Sequence, residues 1–268
     1  MPSFRLTSRI NWFASNSEAS TAPLGISDSH SHIGIGELVF GKGSSTGQDD
    51  KTTPLHTAAT HGNTCLAELL LDSTPQLKGR TGGVMQLLIN SASIDARDKA
   101  KNTPLHLAAQ YGHIDMVDLL LSKGASIEAK CPYGKTPLHY AAQGDHTETI
   151  KLLLKRGASI EAKLGSGRTP LHWAAYHGRT KAVRLLLEKG APINTRNNKN
   201  NQTPLHDAVE QSHIDMVKLL LEEGASIGVR DIFNETPLDI AERRKKTEIF
   251  QLLEKTRVSK MHTHHHRA

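Results

Sequence analysis

The chain has 268 residues, a formal net charge of +6 and 37% hydrophobic residues, enough for one elongated domain or two compact ones. No run of eighteen apolar residues occurs, which argues against a membrane-spanning helix, and the N-terminus lacks the apolar core of a secretory signal. The charge is uneven: Glu242 to Ala268 carries eight Lys/Arg against three acids, while the preceding 241 residues carry 25 against 24. The body is thus nearly neutral, unlike a domain that tracks phosphates along its length.

Residues 1–19 are expected to form a flexible tail. The first seventeen residues hold Arg5, Arg9, several serines and no acid, which matches the composition of a transit peptide only loosely. Residues 20–52 read as a degenerate capping copy of the unit that follows, with Thr21, Pro23 and Leu24 echoing its opening. That opening, Thr-Pro-Leu-His, begins at Thr53, Thr103, Thr136, Thr169 and Thr203, and recurs at Thr236 with Asp239 in place of His. The steps are 50, 33, 33, 34 and 33 residues. The long first step contains a 17-residue insertion, 74–90, with an apolar run from Val84 to Ile89. It reads either as a tolerated excursion or as an element that touches a partner. The last copy closes on Ile249 to Leu253, and beyond Lys255 a frayed basic tail, 256–268, rich in histidine, is expected.

Within one unit the spacing predicts two short helices and a turn. Thr103 is placed to cap the first helix, and Pro104 fits its first position, where no backbone N–H is needed. Leu105, Ala108 and Ala109 give that helix a small-residue face, and Gly112 ends it. Val117, Leu120 and Leu121 give the second helix an apolar stripe, and Pro132-Tyr133-Gly134 turns the return segment. Helices this short are marginal alone, so each unit needs neighbours to cover its leucines. The expected fold is therefore an all-α solenoid.

Thr-Pro-Leu-His-x-Ala at a 33-residue period, six times in register, resembles the ankyrin-repeat family. The resemblance implies an ankyrin-repeat domain over 20–255, with stacked helix-turn-helix units and β-hairpin finger loops. It further implies a non-enzymatic scaffold or adaptor that binds another protein through the fingers and the concave inner-helix face. The finger aspartate usual in that family stands at Asp98 and Asp231 but is replaced by Cys131, Leu164 and Asn197, which puts the shape of those three fingers in doubt.

On those surfaces the candidate partner-binding residues are His61, Gln110, Tyr111, Tyr133, Lys135, Arg168, Tyr176, His177 and Phe233. Rigid aromatics dominate interface energetics, which favours Tyr111, Tyr133, Tyr176, His177 and Phe233. Trp173 and Tyr140 follow the motif histidine and are expected to pack between repeats. His106, His139 and His172 recur one unit apart. Packed helices lie about 8–10 Å apart, whereas Zn–N bonds are about 2.0–2.1 Å, so these histidines are expected to be structural, with no metal and no cofactor. Cys65 and Cys131 fall about two units apart, too far for a disulfide whose Cα atoms lie within about 7 Å. A reducing, cytoplasmic setting is expected, with the nucleus, or a host cell for a secreted effector, as alternatives. Arg243-Arg244-Lys245-Lys246 reads as an exposed turn or as a nuclear-import patch. The competing function is a nucleic-acid- or chromatin-associated regulator using the basic tail; a monomer without membrane contact is expected in either case.

Overall fold

A computed structural model describes residues 52–71 and 93–265, with side chains through Ser259. The expected N-terminal tail, all but the last residue of the degenerate copy and the whole 74–90 insertion lie outside the described residues.

The described chain is a succession of helix pairs. The first helices of the pairs are α1 (Pro54–His61), α3 (Pro104–Tyr111), α5 (Pro137–Gln143), α7 (Pro170–Tyr176), α9 (Pro204–Glu210) and α11 (Pro237–Arg243). The second helices are α2 (Thr64–Leu71), α4 (Ile114–Ser122), α6 (Thr147–Lys155), α8 (Thr180–Glu188), α10 (Ile214–Glu222) and α12 (Thr247–His265). Each first helix starts on the proline after a motif threonine held in the extended region, for example Thr103 at φ −92° and ψ 164°. Proline's fixed φ suits that start, and its missing N–H is one the helix would leave unbonded. At Gly112 the chain leaves α3 at φ 72°, and a Cβ there would sit 2.5 Å from His146 Nδ1 of the next unit. Both facts demand glycine.

Successive first helices pack side by side in one layer, and successive second helices in another. Leu105, Ala108, Ala109, Met116, Val117 and Leu120 are fully buried between the layers, and their equivalents in neighbouring units continue the same core. The alanine pairs Ala108-Ala109, Ala141-Ala142 and Ala174-Ala175 are fully buried, small enough for neighbouring first helices to approach closely.

The fingers are turns; among the described residues none is a strand. Each is closed at its base by one backbone bond, from Asp98 N to Asn102 O, Cys131 N to Lys135 O, Leu164 N to Arg168 O, Asn197 N to Gln202 O and Asp231 N to Glu235 O, at 2.9–3.1 Å. The three fingers without aspartate keep this closure, and Cys131 and Leu164 are buried there. Neighbouring fingers also join, by Gly165 N to Tyr133 O (3.1 Å), Asn198 N to Ser166 O (2.9 Å) and Ile232 N to Asn200 O (3.0 Å). The last helix runs unbroken from Thr247 to His265, so the segment past Lys255 is helical rather than frayed. No Gly or Pro interrupts the chain between Thr247 and His265, so nothing stops the helix there.

Candidate partner-binding surface

The motif histidines hold the units in register. In all five of them Nδ1 accepts the backbone N–H of the capping threonine three residues earlier, at 3.2 Å for His56, His139 and His172 and 3.1 Å for His106 and His206. An accepting Nδ1 carries no proton, so the neutral ring bears its hydrogen on Nε2. In the first four that hydrogen is donated forward, to the carbonyls of Asn102, Lys135, Arg168 and Gln202, at 3.0, 3.0, 3.3 and 3.0 Å. Burial pushes His139 and His172 down to about 4, and lowers His106 and His206 in the same way. His206 faces the Glu235 carbonyl without closing the bond. Asp239 keeps the inner half of the arrangement, accepting from Thr236 N at 2.8 Å and Oγ1 at 2.7 Å, and has no hydrogen to pass forward.

A second set of ties runs backward from the residue that precedes or opens each second helix. His113, His146 and His213 donate from Nε2 to Thr60 O, Gln110 O and Tyr176 O, Arg179 from Nε to Gln143 O, and Lys246 from Nζ to Glu210 O, at 2.7–3.0 Å. Every interface between described units thus carries a side-chain-to-backbone bond near the far end of the first helix. The sequence reading recognised the first histidine set and missed this one, whose signal was the recurring His or basic residue ten positions after the motif threonine.

The residue before each motif threonine offers its carbonyl to the histidine and lays its side chain on the inner face. These residues are Asn102, Lys135, Arg168, Gln202 and Glu235. Asn102 Oδ1 accepts from Tyr140 OH at 2.9 Å. Lys135 Nζ lies 4.4 Å from the Trp173 ring centre and 5.2 Å from that of Tyr140. Trp173 Nε1 donates to Gln143 Oε1 at 2.9 Å, and its ring stacks on Tyr176 at 5.9 Å. His177 meets both Trp173 and Tyr176 edge-on at 5.1 Å. The Arg168 guanidinium lies 5.0 Å from the Tyr176 ring and donates through Nη2 to Asp207 Oδ1 at 2.6 Å. Asp207 is fully buried at a position that carries Leu107, Tyr140, Trp173 or Ile240 in other units. Burial pushes its carboxyl up to about 7, against the downward pull of Arg168. Burial also lowers the Lys135 ammonium, and burial together with the Arg179 charge lowers His177.

The sequence profile described as "Ankyrin repeats (3 copies)" matches residues 76–164, 160–231 and 197–263, and that described as "Ankyrin repeat" matches 50–78. The chain belongs to the ankyrin-repeat family. Among curated relatives, protein fem-1 homolog C of Danio rerio is 36% identical over 73 residues, 27% of this chain and 11% of its own length. The human and mouse proteins of that name are each 35% identical over 74 residues, with the same coverage. The chain therefore spans about a tenth of the length of the relatives it matches.

Of the partner-binding residues expected on the ankyrin array, the structure gathers Lys135, Arg168, Tyr176 and His177 into one cluster. It brings in Gln143, a first-helix surface position, and adds Tyr140, Trp173 and Asp207, which the sequence reading did not count as partner-binding. Tyr140 and Trp173 do bridge adjacent repeats, as expected, yet Trp173 also keeps part of its ring in the open cluster. Gln110 is half-buried, and Tyr111 beside it is exposed and stacks on His113 at 6.2 Å. His61 stands apart on the first described repeat, its Nδ1 within 2.9 Å of Thr57 O. Tyr133 and Phe233, 77% and 68% exposed, sit on separate finger tips, Phe233 beside exposed Ile232.

Three of the four cations in the basic run are bonded within the array. Arg243 grips Glu235 through two nitrogens at 2.6 and 2.9 Å, Arg244 reaches Glu210 at 3.5 Å, and Lys246 makes the backward tie. Among the described residues no helix is long and apolar enough to cross a membrane, and no three His, Cys, Asp or Glu side chains are grouped to hold a metal ion.

Proposed function

We propose that this ankyrin array is a non-enzymatic protein–protein interaction scaffold, gripping a partner polypeptide across the bases of its fingers and the inner face of its first helices. The centre of the grip is the cluster of Lys135, Arg168, Trp173, Tyr176 and His177. One observation carries the reading: three aromatic rings in mutual contact, two stacked and one edge-on, and two half-buried cations share one open face, built on helices that are themselves locked in register. Rigid rings lose little entropy on binding, and aromatic and arginine side chains supply most of the energy of typical interfaces. Catalysis is not assigned, because the motif histidines of the first, second, third and fourth described repeats have both ring nitrogens bonded within the framework. Free Cys65 and Cys131 fit the reducing, cytoplasmic setting. Use of the basic run by nucleic acid is disfavoured by the internal bonds of Arg243, Arg244 and Lys246.

Affinity capture with the immobilised full chain, followed by mass spectrometry, tests the assignment. Changing Lys135 and Tyr176 together to Ala should reduce the captured partner by about tenfold or more, with an unaltered circular dichroism spectrum. The finger-tip pair Tyr133→Ala with Phe233→Ala should have a smaller effect. Full retention of the partner by the first variant would remove this face from consideration.

A further inference from the structure

The side chains preceding the motif threonines form a row across the repeats, and four of the five are satisfied to different degrees. Asn102 is bonded to Tyr140, Gln202 lies within 3.4 Å of Glu210 and Asp231 oxygens, and Glu235 is paired with Arg243. Arg168 uses Nη2 on Asp207, while its buried Nε has no partner. Lys135 is the exception. Its ammonium rests against the Trp173 and Tyr140 rings, and among the described residues no carboxylate lies within ion-pair distance of it. Two adjacent cations, one with no carboxylate partner and one paired through Nη2 alone, therefore stand on a partly dehydrated aromatic floor. The other acids of the neighbourhood are committed: Asp207 is beneath Arg168, and Glu210 is held by Gln202 and Arg244.

Spacing converts this into a specificity. Lys135 and Arg168 occupy the same place in consecutive repeats, so they stand about one helix-packing distance, roughly 8–10 Å, apart. A peptide in the extended polyproline II form advances about 3.1 Å per residue and repeats its side-chain direction every third residue, so roughly three residues span that gap with both end side chains on one face. Resting on the docking face proposed above, we infer that this site takes an extended acidic segment of the form Asp/Glu-x-x-Asp/Glu, with one carboxylate on Lys135 and the next on Arg168. The residues between them lie over Trp173 and Tyr176. Asp207 is a positioning residue: it holds the guanidinium down against the Tyr176 ring, so that the outer N–H groups face the incoming chain. Charge-assisted bonds on a partly buried surface discriminate sharply against an uncharged isostere, because the cation would otherwise be left desolvated without a partner.

Fluorescence anisotropy with labelled eight-residue peptides and the full chain provides the test. One peptide carries two glutamates three residues apart; the others replace both by glutamine, place them side by side, replace both by lysine, or replace both by phosphoserine. The spaced glutamate peptide should bind about tenfold more tightly than its glutamine twin, and the difference should shrink as salt rises. Lys135→Gln should erase that preference. So should Arg168→Met combined with Asp207→Leu, which avoids stranding a buried carboxylate and places an apolar residue where other repeats have one. Thermal melts check that both variants fold. Equal binding of glutamate and glutamine peptides, indifference to spacing, or a preference that survives both variants would overturn the inference. Binding of the phosphoserine peptide alone would overturn the carboxylate assignment. If the uncharged or lysine peptide binds best and Tyr176→Ala releases it, the acidic assignment fails and the docking face stands. If no peptide binds and partner capture also survives the Lys135/Tyr176 change, both fail.

Discussion

At the scale of single residues, the histidine ladder couples the stack to pH. Each ladder ring folds in its neutral form with Nε2–H donating forward, and protonating Nδ1 would set a hydrogen against the threonine N–H. The unfolded rings titrate near 6.5, whereas His139 and His172 are held near 4 by burial. Between those values the unfolded chain binds protons that the folded chain refuses, so stability falls as pH drops from about 6.5 toward 4. His106 and His206, shifted the same way, add to the slope. Asp207 opposes it, because its raised folded value means that stability is lost as pH rises from its ordinary 3.8 to about 7. Several histidines outweigh one aspartate. Urea midpoints should therefore fall from pH 7 to pH 5, and replacing Asp207 by Leu should steepen the fall. A midpoint that rises or stays level over that interval would contradict the assigned tautomers.

At the scale of the repeat, the interior is a leucine seam shielded by neighbours. Leu120 is wholly buried between α4 and the helices around it. Leu120→Ala should cost about 2–5 kcal/mol, measured by denaturant unfolding at fixed pH; a change below about half a kcal/mol would mean that the site collapses around the gap. This layer of the fold was legible in the sequence, because the information is local: cap, proline, leucines and stop all fall within one 33-residue unit. The finger shapes were less so. Their closure is a backbone bond, indifferent to whether Asp98, Cys131 or Leu164 occupies the turn, and side-chain identity could not reveal it. The candidate cluster was legible only in fragments. Lys135, Arg168, Tyr176 and His177 stood out by type and place, but Arg168 meets Asp207 39 residues away across an interface. The one advance sign was an acid standing in a column whose other members, Thr57, Leu107, Tyr140, Trp173 and Ile240, are uncharged.

For the whole molecule, stability is a sum of unit and interface contributions, since each repeat is covered by its neighbours. Removing residues 236 onward would expose the face of α9 and α10 that buries Leu205, Val209 and Leu220, and would delete the Lys246 tie to Glu210. The shortened chain should unfold at lower denaturant with a smaller m-value, in proportion to the surface no longer hidden; an unchanged midpoint would mean that the closing repeat contributes nothing to its neighbour. The forward ties have a different consequence. The ladder seizes residues 102, 135, 168 and 202 by their carbonyls, which every amino acid possesses, so the forward tie itself makes no demand on side-chain identity there. Recognition can consequently be rewritten at residue 135, and at residue 168 together with its buried partner Asp207, while the ladder bonds persist.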